Sequence, residues 1–260
     1  MKVAICTIIK NEQQFLKEWI DYHLSIGFDH IYLYEDTGSL SHKDITDLYE
    51  EVSLFQYNEE IAKHEKRGGS KHQYALFEYF LETHTDVCDW LAFIDIDEFI
   101  SIDGNLSIKD FLTEYEEYNG VYLYWKYYGA SGHIYHPEGK VQDNYTSETD
   151  YEKDNGWRFK SIVNMKKQPK MLSNHKVEGG VNTFKLATSR IRTFHKAHIK
   201  HYFTKSWEDW IDRITQRGDL FPGHRKLMDF FYVNSDMIKD KDNLLKIYEE
   251  IVANWKQAVR

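Results

Sequence analysis

With 260 residues, 42% of them hydrophobic, the chain can build one large α/β domain or two small ones around a real core. A formal charge of −9 and a pI near 5.8 leave no net basic field to displace counterions, which excludes a general nucleic-acid binder. The two cysteines, Cys6 and Cys88, match no zinc or disulfide pattern and fit a reducing compartment, and there is no run of about 18 apolar residues to span a membrane. Charge returns at Lys10 and Glu12, so the first eight residues read as a strand and not as a signal peptide. The expectation is a cytoplasmic protein, with peripheral membrane contact left open and no oligomeric state implied.

Lys2 to Ile9 is a nearly continuous apolar run, as in a buried parallel strand. Asn11 with Gln14 three residues on resembles a capping box, opening a helix that carries Phe15, Leu16, Trp19, Ile20 and Leu24 and ends near Gly27. His30 to Tyr34 reads as a second strand, followed by the polar turn Glu35-Asp36-Thr37-Gly38-Ser39. Ile45, Leu48 and Val52 mark a helix and Leu54 to Tyr57 a strand. Asn58 to Gly69 reads as a loop, and Ser70 to His84 as a helix. Trp90 to Ile94 is a strand running into Asp95-Ile96-Asp97-Glu98. Four strand–helix alternations in the first hundred residues predict a parallel sheet with helices on both faces. Ligands of such sheets bind beyond the C-terminal strand ends, where Lys10 to Glu12, Glu35 to Ser39 and Asp95 to Glu98 should converge.

After residue 100 the pattern changes. Val121 to Tyr128 is an aromatic strand, Gly129 to Gly139 is turn-rich and Tyr145 to Asn155 is polar. Arg190 to Phe203 suggests extended chain and Ser206 to Arg217 a helix. From Lys239 on, Leu244, Tyr248, Ile251 and Trp255 give an amphipathic helix that packs on the domain, touches membrane or pairs with another subunit. No linker or repeat interrupts the chain. The expectation is therefore a single domain, 1–260: a binding half (1–103), an acceptor-side half (104–218) with a smaller β region, and a C-terminal helical segment (219–260).

Asp95-Ile96-Asp97 is the sharpest chemical signal. An apolar strand that ends in two carboxylates can collect a hard divalent cation. Such an ion would neutralise the charge that develops on a diphosphate leaving group. The competing reading is a solvated acidic turn. His195, His198 and His201 would share a face on a helix, whereas on a strand His198 faces away from the other two. The strand is favoured. Lys66 to Lys71 is basic and could close over a diphosphate, but it lacks the P-loop spacing and an ordinary solvated loop explains it as well. Trp125, Tyr127, Tyr128 and Trp157 could stack on an acceptor sugar or simply face the core.

Five blocks resemble the signatures of the family-2-like and family-92 glycosyltransferases. They are Ile8-Ile9-Lys10-Asn11-Glu12, Glu18-Trp19-Ile20-Asp21-Tyr22-His23, Trp90 to Phe99, Trp125 to Gly132, and His201-Tyr202-Phe203-Thr204-Lys205-Ser206. The resemblance implies a GT-A (Rossmann-like) fold with a mostly parallel central sheet. It also implies a nucleotide-diphosphate sugar donor, here taken as a UDP-sugar, with manganese or magnesium as the metal. Carried over residue by residue, Asn11, Glu12, Asp36, Gln73, Asp95 and Lys205 would meet the donor. Asp95 and Asp97 would hold the metal with His201, His175 being the rival third ligand. Leu40 and Ser41 depart from the D-x-x-S-x-D pattern that begins at Asp36. Arg217 is a further candidate on the donor side. An inverting transfer needs a general base. Glu178 is the nominal choice over Asp150, Glu152 and Asp154, and Asp97 is counted with it as catalytic. The expected activity is transfer of a hexose to a glycan, lipid-linked saccharide or glycolipid acceptor. A metal-dependent hydrolase and an inactive nucleotide-sugar or carbohydrate-binding module are the alternatives.

Overall fold

A computed structural model describes residues 1–65, 71–104, 106–149, 158–182, 196–215 and 227–234. The expected C-terminal amphipathic helix lies outside them. The chain divides into two compact units, Met1–Lys126 with Gly156–His201, and Tyr127–Asn155 with Tyr202–Arg260.

The first unit opens with β1 (Val3–Ile9), α1 (Gln13–Ser25), β2 (His30–Glu35), α2 (Lys43–Thr46) and β3 (Val52–Gln56). Next come α3 (Glu59–Ala62), α4 (Lys71–Thr83), β4 (Trp90–Ala92), β5 (Glu98–Ile102), α5 (Ile108–Thr113) and β6 (Gly120–Tyr127). β7 (Phe159–Asn164), β8 (Val181–Asn182) and β9 (Ala197–His201) complete the sheet. Its order is β3-β2-β1-β4-β7-β6-β9-β5, with β8 paired to β6. β1 pairs in parallel with β2 and β4, and β2 with β3. Beyond β4 the pairing with β7, and of β7 with β6, is antiparallel, as is β5 with β9. The expected parallel sheet is thus the first half of a mixed one.

β1 is apolar along its length because both faces are covered. Ala4 and Cys6 join a core with Ala75, Phe77 and Phe80 of α4. Val3 and Ile5, on the opposite face by strand alternation, are fully buried as well. Three sequence expectations change here. Asn11 does not cap α1: its φ is 52°, and its side-chain oxygen accepts from Leu40 N–H. The helix read around Ile45 to Val52 is the single turn α2, since Val52 starts β3. The Asn58 loop contains α3, whose first turn is capped by the Asn58 side chain accepting from Glu60 and Ile61 N–H.

Strand β5, unforeseen from the sequence, ends the sheet and is clasped by α1. Trp19 Nε1–H donates to Glu98 O at 2.8 Å, Tyr22 O–H donates to Ile100 O at 2.7 Å, and Ile100 N–H donates to His23 Nε2 at 3.4 Å. The Glu18 to His23 block thus fixes the strand that begins at Glu98.

The second unit contains α6 (Val141–Asn144), α7 (Trp207–Thr215) and α8 (Leu227–Val233). Its core joins Ala130, Trp207, Trp210, Ile211, Ile214 and Phe230. Ser206 Oγ accepts from Asp209 N–H, and Asp209 Oδ2 accepts from Ser206 N–H, which is a capping box for α7. Tyr145 O–H and the His136 ring N–H also donate to Asp209. Asn234 ties the two later sequence blocks together, because its Oδ1 accepts from Ala130 N–H and its Nδ2 donates to Thr204 Oγ1. Gly129 is required there: a Cβ would lie 2.4 Å from Asn234 Oδ1.

Candidate active site

The three polar clusters do converge at the C-terminal ends of β1, β2 and β4. Asn11 N–H donates to Ser39 Oγ, and Asn11 Oδ1 accepts from Leu40 N–H, so Asn11 staples the loop after β2. Glu12 is buried, and its N–H donates to Nε2 of His42, whose Nδ1–H donates to buried Glu35. Burial pushes the Glu35 carboxyl up, but the His42 backbone and ring bonds and Gln56 hold it below its ordinary value. The first turn of α4 joins this loop to the carboxylates through successive residues. His72 donates to Asp36 Oδ1 at 2.7 Å, and Gln73 Nε2 donates to Asp95 Oδ1 at 2.5 Å. The ring of His72 also stacks on Tyr57, with centroids 4.6 Å apart.

Asp95 is held from the other side by Lys160 on β7, whose Nζ donates to its Oδ2 at 2.9 Å and lies 3.7 Å from Glu98 Oε1. Lys160 is almost wholly buried. Burial lowers its affinity for a proton, yet Asp95 and Glu98 hold the ammonium above its ordinary pKa. Burial drives the Glu98 carboxyl the other way, well above the usual carboxylate range; Lys160 opposes this, while Asp95 and Asp97 add to it.

Register explains how a ligand set forms. The turn at Ile96-Asp97 starts β5 at Glu98, and antiparallel pairing puts Glu98 directly opposite His201, the last residue of β9. Asp97 Oδ2 lies 3.5 Å from His201 Nε2. Asp97, Glu98 and His201 are all buried and offer one ligand atom each within 4.8 Å of one another. Glu98 Oε2 accepts from Asp95 N–H, but Glu98 Oε1 is buried with no hydrogen-bond partner. A buried carboxylate oxygen without a hydrogen bond is costly unless something positive meets it, and at 3.7 Å the Lys160 ammonium meets it without hydrogen bonding. Two carboxylates and an imidazole suit manganese, or magnesium with added waters. The residues therefore fit a divalent ion, with Glu98 beside Asp97 and His201 while Asp95 is engaged by Gln73 and Lys160.

His175, the rival ligand, stands outside this group. Its Nδ1–H donates to Phe159 O at 3.0 Å. Trp125 packs against both histidines, its ring centroid 4.4 Å from that of His201 and 5.5 Å from that of His175. Trp125, Tyr127 and Tyr128 are all buried, which removes them as an open stacking platform. Glu178 is exposed, and its carbonyl accepts from Asn119 beside Gly120, at the level of Val163 on β7. That is three residues, or about 10 Å, along the strand from Lys160, so the fold does not bring it to the carboxylates. Lys205 belongs to the second unit, buried, with a φ of 54°. His195, Asp150, Glu152, Asp154, Trp157, Arg217 and Lys66 to Ser70 lie outside the described residues.

Sequence reasoning missed Glu98 as a ligand and missed Lys160 altogether. The second had only a weak signal: a cation next to Phe159 and before Ile162-Val163 must find carboxylates if the segment is a buried strand.

The sequence model of glycosyltransferase family 92 matches residues 1–250. A family 92 protein of Ricinus communis is 25% identical over 235 residues, 85% of this chain and 38% of the relative. One of Arabidopsis thaliana is 24% identical over 231 residues, 83% of this chain and 37% of the relative. One of Oryza sativa subsp. japonica is 31% identical over 113 residues, 44% of this chain and 18% of the relative. The chain spans less than two fifths of the length of these curated relatives. Among solved structures, glucosyl-3-phosphoglycerate synthase from Mycobacterium tuberculosis, in complex with Mn2+, UDP and phosphoglyceric acid, aligns at 16% identity and TM-score 0.33, over 48% of this chain and 43% of that one. HddC from Yersinia pseudotuberculosis aligns at 11% identity and TM-score 0.35, over 77% of each chain.

Proposed function

The chain belongs to glycosyltransferase family 92, and on that premise we propose that it is a metal-dependent GT-A hexosyltransferase using a UDP-sugar. It passes the hexose, with inversion, to a hydroxyl of a glycan or lipid-linked saccharide. It works in the cytoplasm, with or without peripheral membrane contact, and has no nucleic-acid partner. The observation that carries the reading is the buried Asp97, Glu98 and His201 group, whose ligand atoms lie within 4.8 Å of one another.

Asp97, Glu98 and His201 would hold Mn2+ or Mg2+. A bound dication there supplies charge neutralisation for the departing diphosphate. Lys160 pairs with Asp95 and Glu98 and holds them in place within a buried site, and Gln73 orients Asp95 from α4. The loop stapled by Asn11 carries Asp36 at the same sheet edge, where the nucleoside would lie. Glu178 is not carried into the mechanism, given its place at the other end of β7.

The test is a thermal-shift series of UDP-sugars with and without manganese, on the wild type and on Asp97→Asn. Ligands that bind only the folded state raise its apparent stability. A manganese-dependent rise in the wild type, absent from the variant, supports the reading. A rise in neither protein, or an equal rise in both, refutes it.

A further inference from the structure

His175, which interacts electrostatically with Asp95 and stands outside the ligand group, has a fixed chemical polarity. Its Nδ1–H is committed to Phe159 O, which makes Nε2 the unprotonated nitrogen. Among the described residues no donor meets Nε2, and the residue is half-buried. The residue is held on three sides. Its carbonyl accepts from Ser161 Oγ–H, its ring stands edge-on to Trp125, and Asn174 before it donates to Gln73, the residue that holds Asp95. Burial and the nearby Lys160 ammonium push its pKa down to about 4, which keeps it neutral.

A neutral lone pair, rigidly aimed and next to a carboxylate, selects its partner by chemistry. It repels phosphate oxygens, which also only accept. It sits outside the group that could surround a cation. What it attracts is an O–H or N–H donor on an uncharged group. In a sugar-nucleotide donor the uncharged, hydroxyl-bearing part is the hexose itself. We infer that His175 Nε2 accepts a hydrogen bond from one hydroxyl of the transferred hexose, and so selects which UDP-sugar is used. Trp125 forms the apolar wall of that subsite. The inference rests on the donor-site reading above and adds the residue that reads the sugar.

Calorimetric titration in excess Mn2+ separates the two claims. The probes are UDP, UDP-glucose, UDP-galactose, UDP-N-acetylglucosamine, and the 2-, 3-, 4- and 6-deoxy forms of the sugar that binds best. The proteins are the wild type, His175→Phe and His175→Gln. UDP alone should bind all three within about twofold, which also shows that the variants are folded. In the wild type one sugar should bind roughly tenfold tighter than its deoxy analogue lacking the hydroxyl read, the worth of one well-placed hydrogen bond. His175→Phe should bind the two alike, and the amide oxygen of His175→Gln should restore part of the preference. If His175→Phe keeps the full preference, or if no sugar in the panel adds to the affinity for UDP, His175 does not read the hexose. If UDP itself binds none of the proteins, the donor-site reading fails and the inference goes with it.

Discussion

Acidification from pH 7 to pH 5 should weaken the fold through His23 in particular. The imidazole is fully buried between Trp19 O, which takes its Nδ1–H, and Ile100 N–H, which donates to its Nε2. A second proton on Nε2 would oppose that N–H donor, and burial has already lowered the pKa from 6.5 to about 3. A depressed pKa in the folded state means that the unfolded chain takes up the proton first. The stabilisation is therefore complete above the unfolded value of 6.5 and is lost as pH falls towards 3. Each pH unit in that window is worth about 1.4 kcal/mol, so pH 5 lies roughly 2 kcal/mol below pH 7 on this account alone. Urea denaturation of the wild type and of His23→Gln at both pH values isolates it. The amide can accept from Ile100 N–H but does not titrate, so the variant should lose about 2 kcal/mol less than the wild type. Equal losses in the two proteins would refute the argument.

Three further outcomes are expected. Trp19→Phe orphans the buried Glu98 carbonyl and leaves a smaller ring in its place; a loss of roughly 2–4 kcal/mol should appear in urea denaturation. Lys160→Met leaves Asp95 and Glu98 without their cation, so the metal-free protein should lose about 3–5 kcal/mol, part of it regained with millimolar Mn2+ in the same titration. Gly129→Ala forces a methyl group against Asn234 Oδ1 and should cost about 1–3 kcal/mol by thermal unfolding. Asn234→Ala in the same chain should then cost less than the two changes summed.

The local half of the fold was legible in the residues. β1, α1, β2 and α4 follow from apolar period and a terminating Gly27, and Asp95 to Glu98 announced itself as a charged end to an apolar strand. What escaped were facts set by distant partners. Asn11 reads as a helix cap because Gln14 follows at the right spacing, but Leu40 claims its side chain and bends it into the left-handed region. β5 was hidden because Glu98 looks like the last residue of an acidic turn. Only pairing with Ala197–His201, about a hundred residues later, makes it the first residue of a strand. The same pairing decides that Glu98 joins His201, which no local spacing could reveal. Glu178 follows His175 by three residues, yet its carbonyl meets Asn119 at the far end of β7, so proximity in sequence is no guide there.

The clasp of α1 on β5 also bears on how copies of the chain can meet. An open strand edge invites another strand to add to it, which is the usual route to aggregation and to extended sheets. Here a tryptophan, a tyrosine and a histidine already occupy three backbone groups along that edge. Strand addition is opposed at the end of the sheet that carries the carboxylates, which of the two ends of the described strand order leaves β3 as the one without such a clasp.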